Sequence, residues 1–386
     1  MSIESSRRRK AWLRFWRLTD TLPAAHELEI SAFGPGVGEC IVVHIGDGDW
    51  IVVDSCLDRR SRRSVALNYL RSLDVDINSK VKLVVATHWH DDHIAGLAQV
   101  LEAAGQAKFV NSAAYSFPEL MKLVQLGAKT ARQSSATTEY ERITQILVER
   151  RKNGERKDAV GPVPALANRK LLSLISEDRP IAVEVFSLSP SDGVFNRGAA
   201  ELQRALSVTE RRLRPSLQGP NQLSVVLWVR IGLINVLLGG DLEHVPGVTE
   251  GWQAIVQSAE RPAGRARFFK VPHHGSANAD CPDCWSELLL EKPIAILTPY
   301  SPSGLPRRGD VERLCARSSA VLLTGDSTHY GLPRRENAVE KTIRDVAIKR
   351  RALVGQMGHV RLRCDAREPD QPLNVDLQNG AQQRCV

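Results

Sequence analysis

No stretch of this 386-residue chain is apolar for long enough to cross a bilayer, and its first residues lack the apolar core of a secretory signal. Both absences point to a soluble protein, and the expected location is the cytoplasm. The seven cysteines are scattered and odd in number. That pattern argues against the disulfide framework of small secreted domains, so reduced thiols are expected. Cys281-Pro-Asp-Cys284 is the one close pair; a zinc knuckle needs two further ligands at matching spacing, which are missing, so ordinary buried thiols are expected there. There is no low-complexity segment, and the repeated Gly-Leu-Pro-Arg-Arg at 304–308 and 331–335 is too short to be a structural repeat. The glycines of Gly34-Pro-Gly-Val-Gly38 open onto a strand instead of a helix, which excludes a dinucleotide fingerprint and leaves a tight loop. Histidine is absent between His93 and His244.

What is present is the composition of a globular protein, 42% hydrophobic and 25% charged, long enough for one large or two smaller domains. The net charge of +8 suits polyanionic partners where it clusters. Clusters lie at Arg7–Lys10 with Arg14 and Arg17, at Arg150–Lys152 with Arg156 and Lys157, at Arg211, Arg212 and Arg214, and at Lys349–Arg351. Any one of them, taken singly, reads as a solvated helix face.

Residues 1–27 form a basic arm whose Trp12, Phe15 and Trp16 would share one side of a helix, suited to docking on the body of the protein, a partner, a membrane surface or nucleic acid. From Leu28 the pattern becomes β: Leu28 to Phe33, Cys40 to Ile45 and Trp50 to Asp54, the last two joined by a turn at Gly46–Asp49. Helices are expected over about Arg62 to Ser72 and Ile94 to Ala104, flanking a strand at Val81 to Ala86. Residues 112–215 read as a mainly helical, polar insertion with a strand near Ile181 to Leu188. Strands return at Leu223 to Ile231, Asn235 to Leu238, Arg267 to Val271, Ile294 to Leu297, Ala320 to Thr324 and Val360 to Cys364, with a helix near Ala338 to Ala352.

Directly after the apolar run at 81–86, His88, His90, Asp92 and His93 fall within six residues. Imidazole and carboxylate are the ligands that borderline divalent ions prefer, and a strand end leading into a helix can aim them into one crevice. Solvated or core-satisfied histidines are the plainer alternative, but each would cost free energy if buried unpaired. Two later strands also finish in ligand chemistry, at Asp241 and at His273-His274, and ligands ending successive strands converge on one edge of a sheet.

On these residues the chain resembles the metallo-β-lactamase superfamily, whose His-x-His-x-Asp-His signature stands here as His88-Trp-His-Asp-Asp-His93. Within it the chain is most similar to the hydrolase domain of ComEC-type DNA-uptake channels. Gly36-Val-Gly-Glu-Cys40, Ile51-Val-Val-Asp54, Asn221-Gln-Leu-Ser-Val-Val226, Leu237-Leu-Gly-Gly-Asp241 and Lys270-Val-Pro-His-His-Gly-Ser276 carry that likeness. The resemblance implies an α+β fold, an αββα sandwich over residues 28–386 with two mixed sheets face to face, helices outside and metals along one sheet edge. It implies that His88 and His90 hold one ion, that Asp92 and His93 hold a second completed by His274 (favoured over His273), and that Asp241 bridges them. Asp54 would orient a liganding imidazole. Most relatives supply a third histidine to the first ion; here Asn221 and Ser224 stand in that stretch, so manganese is nearly as suitable as zinc, for one or two ions. His244 is expected at the surface, and Tyr300, Asp326 and His329 follow strands without a sequence signal for the crevice.

The function implied is a metal-dependent hydrolase, foremost a phosphodiesterase or nuclease that attacks nucleic acid with a metal-activated hydroxide. Asp92 and His273 are candidate proton carriers, with Asn221, Ser224, Lys270 and Ser276 near the substrate or first ion. A small ester, lactone or thioester hydrolase on the same scaffold is the second reading. A binding or regulatory module with a degenerate metal site is the third.

Overall fold

The structure, a computed structural model, describes residues 13–15, 21–34, 38–58, 61–115, 135–154, 159–196, 220–245, 247, 249–325, 338, 339, 342, 346 and 357–385. Side chains alternate across a strand, so a strand buried on both faces is apolar throughout. Val81–Ala86 shows this: Leu83 and Val85 enter one apolar cluster while Val84 and Ala86 enter another. The same logic organises the molecule into layers.

The first half of the chain contributes β1 (Leu13–Phe15), β2 (Glu27–Gly34), β3 (Cys40–Ile45), β4 (Trp50–Val53), β5 (Val81–Ala86), β6 (Lys108–Ser112) and β7 (Pro162–Ala165). Then follow β8 (Arg169–Leu174), β9 (Val183–Ser187), β10 (Leu227–Ile231), β11 (Ile234–Leu238), β12 (Ala266–Lys270), β13 (Leu289–Leu297) and β14 (Ala320–Leu323). The chain ends with β15 (Gly358–Asp365), β16 (Leu373–Gln378) and β17 (Gln382–Gln383). Among the described residues one sheet runs β1-β16-β15-β2-β3-β4-β5-β6-β7 and the other β17-β14-β13-β12-β11-β10-β9-β8. Each is mixed. β4 to β7 are parallel in the first sheet and β11 to β14 in the second, with antiparallel strands beside them.

Between the sheets lies a core that includes Ile30, Val43, Val53 and Val85 from the first and Val185, Val229, Val236 and Ile296 from the second. Outside the first sheet, Val65–Ser72, Leu97–Ala103 and Ser135–Lys152 pack on Val42, Val52 and Val84, the last helix through Tyr140, Ile143 and Leu147. Outside the second, Gly251–Gln257, Pro282–Glu287 and Arg308–Arg317 cover Trp228, Leu237 and Phe269. The architecture is the αββα sandwich that the resemblance implied.

Four sequence expectations are revised. Leu13–Phe15 of the N-terminal arm is a strand paired parallel with β16 instead of a helix, and Trp12 and Trp16 lie outside the described residues. Within 112–215 the helix Ser135–Lys152 and the expected strand β9 are joined by two further strands, β7 and β8, and all three strands belong to the two sheets; residues 116–134, 155–158 and 197–219 lie outside the described residues. Cys315 and Cys385 form a disulfide across 70 residues, because β17 pairs with β14 beside the helix that carries Cys315. The other five cysteines are free and buried. Arg150, read from sequence as part of a basic cluster, is only 4% exposed and donates to the carbonyls of Leu101, Ala104, Ala107 and Ala159, satisfying the open end of helix Leu97–Ala103. The helix expected near Ala338 to Ala352 is described only at 338, 339, 342 and 346.

His44 on β3 is fully buried, with Nδ1 donating to the Glu27 carbonyl at 2.8 Å and Nε2 accepting from the Gly48 N–H at 3.1 Å. Burial, opposed by the bond to Glu27 and helped by the nearby charge of Arg363, lowers its pKa to about 4. The unfolded chain binds that proton below roughly pH 6.5 and the folded chain does not. The contribution to stability is therefore complete above pH 6.5 and declines by about 1.4 kcal/mol per pH unit as pH falls toward 4. In urea titrations from pH 7 to 4.5, His44→Gln should flatten the acid slope by about that amount per pH unit. An unchanged slope would contradict a neutral buried His44.

Candidate metal centre

The parallel strands β4 and β5 end side by side, and the residues just beyond them, Asp54 and Thr87, meet. Asp54 is fully buried in a left-handed backbone conformation (φ 58°). It accepts from the Thr87 N–H at 2.8 Å, the Thr87 hydroxyl at 2.7 Å and Nδ1 of His93 at 2.7 Å. These bonds settle two imidazoles. With Nδ1–H engaged, His93 offers Nε2 to the crevice. The single hydroxyl proton of Thr87 goes to Asp54, so its oxygen can only accept from Nδ1 of His88 at 3.0 Å, which leaves Nε2 of His88 as a lone pair, 3.0 Å from Nδ1 of His90.

Strands of the second sheet end on the same edge. After β11, Gly239-Gly240-Asp241 turns sharply. Gly240 has φ 51°, and a Cβ there would stand 2.5 Å from the Ser224 hydroxyl and 3.0 Å from the Val225 carbonyl oxygen. Glycine is therefore required. The Asp241 N–H donates to Ser224 Oγ at 3.0 Å, which carries its carboxylate into the crevice. After β12, His273 and His274 both adopt left-handed backbone, at φ 48° and 52°, a strain of roughly 1–3 kcal/mol each that gathers at functional turns. His274 Nδ1 donates to the Thr298 carbonyl at 2.8 Å, its ring stacks on Tyr300 at 5.0 Å, and its Nε2 faces the crevice.

The exposed lone pairs converge. Asp241 Oδ2 lies 3.3 Å from His93 Nε2, 3.6 Å from His274 Nε2 and 3.9 Å from His88 Nε2. Asp92 Oδ2 lies 3.4 Å from His274 Nε2 and 3.6 Å from His93 Nε2. Two ligands held at 2.0–2.1 Å in tetrahedral geometry stand roughly 3.3 Å apart, close to most of these separations. Two triads result, His88, His93 and Asp241, and Asp92, His93 and His274. A third grouping of Glu39, Asp54 and His93 is excluded as a site because Asp54 is spent on His93 Nδ1 and Glu39 on Lys270, 2.7 Å away.

Two observations show that a cation fits. His93 Nε2 and His274 Nε2 are buried without hydrogen-bond partners, which costs stability unless something binds them. The candidate groups also hold four carboxylates, Glu39, Asp54, Asp92 and Asp241, and among the described residues the ammonium of Lys270 pairs with Glu39 at 2.7 Å and stands 3.7 Å from Asp241. The ionisation pattern follows. Burial would raise the Asp241 and Asp92 carboxyls, but His93 and His274 overcome it and hold both below their usual range. Burial likewise disfavours the imidazolium of His93 and His274, yet the carboxylates around them raise both. His88, where burial dominates, is held well below its ordinary value. In place of those protons, a divalent ion would neutralise the same charge.

The remaining sequence candidates are placed as follows. His90 touches His88, Nδ1 to Nε2 at 3.0 Å, but belongs to neither triad. His273 turns aside to Glu243 at 3.4 Å and Asn221 at 3.3 Å. Asn221 also donates to Glu243 at 3.0 Å, and Ser224 supports the Asp241 backbone. Lys270 is 1% exposed and bonded internally, so it does not face substrate. Ser276 lines a small cavity with Trp252, Cys281 and Trp285, away from the triads. The triads do not include His244, and Asp326 and His329 lie outside the described residues. Sequence reasoning missed Thr87, Thr298, Glu243 and Glu39. Thr87 had a signal in its place beside His88, and Glu39 in Gly36–Cys40; the other two had none.

Asp54→Asn, which cannot accept from both the Thr87 hydroxyl and His93 without misplacing an amide, should weaken zinc affinity about 10- to 100-fold in chelator competition. Zinc at 100 times its Kd should stabilise the unmodified chain by about 2.7 kcal/mol in thermal or urea unfolding. No shift on adding zinc would count against the ligand assignment.

The sequence profile of the metallo-beta-lactamase superfamily matches residues 33–280. No curated protein matches the chain. Among solved structures, the metallo-beta-lactamase fold protein YhfI from Bacillus subtilis is 10% identical with a TM-score of 0.35, over 77% of this chain and 95% of that one. The hydrolase AbOPH of the beta lactamase superfamily is 12% identical with a TM-score of 0.26, over 44% of this chain and 69% of that one. Those structural scores carry no weight of their own. Because the profile match spans well over half of the sequence and takes in every residue of both triads, the chain belongs to the metallo-β-lactamase superfamily, whose members are mostly metal-dependent hydrolases.

Proposed function

We propose that this protein is a metal-dependent phosphodiesterase that cleaves nucleic acid. The observation that carries the reading is the pair of triads that share His93, with Asp241 Oδ2 3.3 to 3.9 Å from the Nε2 atoms of His93, His274 and His88, so that ligands for neighbouring cations gather on one sheet edge. Paired ions suit phosphodiesters because charge develops on both the attacking and the leaving oxygen. The net charge of +8 and the resemblance of several segments to ComEC-type hydrolase domains favour the same substrate class. Arg150, a structural residue, gives no such support, and the clusters at 7–10, 211–214 and 349–351 lie outside the described residues.

In this reading His88 and Asp241, with His90 beside them at the rim, would hold one ion, and Asp92, His93 and His274 would hold the other next to Asp241. Bound zinc or manganese supplies Lewis acidity and lowers the pKa of water from about 15.7 to about 7. Asp54 keeps His88 and His93 in the tautomers that bind. His88, His93, Asp241 and His274 are buried, whereas His90, Asp92 and His273 are part-exposed at the rim. Proton transfer is assigned to that rim, with Asp92 and His273, the latter held by Glu243 and Asn221, as the candidate carriers.

The test is a cleavage panel of labelled single- and double-stranded DNA and RNA with zinc- or manganese-loaded protein and metal content measured by elemental analysis. Cleavage is expected, reduced by at least ~100-fold in His88→Ala and Asp92→Ala. Binding by Asp92→Ala should weaken linearly in log–log form as salt rises. No cleavage, or cleavage untouched by both substitutions, would refute the proposal. Turnover of neutral esters, lactones or thioesters, indifferent to salt, would transfer the same site to acyl substrates.

A further inference from the structure

Lys270 and Glu39 form a buried ion pair behind the two triads, 1% and 2% exposed, with Nζ 2.7 Å from Oε1. Such a pair is a poor choice for stability, since removing two charges from water offsets most of their attraction and apolar replacements are often neutral or stabilising. Its connections suggest a different use. Lys270 Nζ also donates to the Gly240 carbonyl at 2.9 Å and stands 3.7 Å from Asp241 Oδ1. On the other side, Glu39 Oε2 accepts from the Thr298 hydroxyl, and the Thr298 carbonyl receives Nδ1–H of His274. The Glu39 backbone N–H donates to the Asp92 carbonyl at 2.8 Å. One pair therefore reaches three ligand-bearing segments, those of Asp92, Asp241 and His274, which arrive from both sheets.

We infer that Lys270 and Glu39 are positioning residues for the metal centre. The ammonium attracts Oδ1 of Asp241 and anchors the Gly240 turn, so that Oδ2 faces His88, His93 and His274. Glu39 holds Thr298, which fixes the tautomer of His274, and it neutralises the ammonium that would otherwise repel an ion behind the ligands. Lys270 acts through Asp241 and makes no contact with substrate. The inference rests on Asp92, His93, Asp241 and His274 being metal ligands, but not on the identity of the substrate.

The experiment uses the full chain with zinc alone as probe. Zinc affinity is read by competition with a chromophoric chelator, and the folding of metal-free protein by its melting transition. Variants are Lys270→Met, the double Lys270→Met/Glu39→Leu, which leaves no unpaired buried charge, and His93→Ala. The expected result is a metal-free double variant that melts at or above the unmodified chain yet binds zinc about 10- to 100-fold more weakly. Lys270→Met should lose affinity and stability together. A double variant that folds and binds zinc as tightly as the unmodified chain overturns the inference, leaving the pair a structural one, even if Lys270→Met alone is unfolded. Should His93→Ala lose zinc while the double variant does not, the ligand reading stands and only the positioning role fails. An unmodified chain that binds no zinc overturns both.

Discussion

The carboxylate of Asp54 is the point on which this site turns. It lies where two parallel strands end, buried and accepting from a backbone amide, a hydroxyl and an imidazole. Through those bonds it aims Nε2 of His93 directly and Nε2 of His88 through Thr87. An imidazole offers a lone pair to a cation only if its other nitrogen keeps the proton. Without Asp54 the two rings would be free to rotate or to protonate at the wrong nitrogen, and the ligand triads would exist only as a composition.

The fold makes that arrangement possible by having two sheets finish on one edge. β4 and β5 deliver Asp54 and the Thr87 to His93 turn from one sheet, while β11 and β12 deliver Asp241 and His274 from the other. The interior between the sheets is apolar, so the polar atoms gather where the sheets end. Left-handed backbone at Asp54, Gly240, His273 and His274 lies just past those strands, where the chain turns to bring its polar side chains to the crevice. The excess of carboxylates over ammonium within the crevice follows from the same convergence, and it is a charge that a divalent ion would neutralise.

Much of this could be read from the chain beforehand. Val81–Ala86 was legible because its run Leu83–Ala86 is apolar on both faces, as a strand buried on both sides requires, and the four ligand-type residues at 88–93 were legible because they crowd six positions. The choice between His273 and His274 was only favoured from resemblance, since two adjacent histidines are chemically equal until a backbone turn points one inward and the other to Glu243. Arg150 was read as a surface charge because sequence cannot show that helix Leu97–Ala103 ends where its guanidinium can reach four carbonyls. The Cys315–Cys385 bond was invisible because its partners are 70 residues apart and meet only through the β14–β17 pairing. Strands β7 and β8 were hidden in a stretch whose polarity suggested helix, because edge positions tolerate the exposed residues that blur alternation.

The sequence by itself determined the chemistry: which side chains could bind a cation, that they follow strands, and that the family is one of metal-dependent hydrolases. Tertiary structure alone decided the geometry, namely which nitrogen of His88 and of His93 is held by Thr87 and Asp54, that Asp241 meets His88, His93 and His274, and that Lys270 is buried and paired with Glu39. The reason is that ligand type is a local property carried by each residue, whereas lone-pair direction depends on hydrogen bonds between segments brought together from distant parts of the chain.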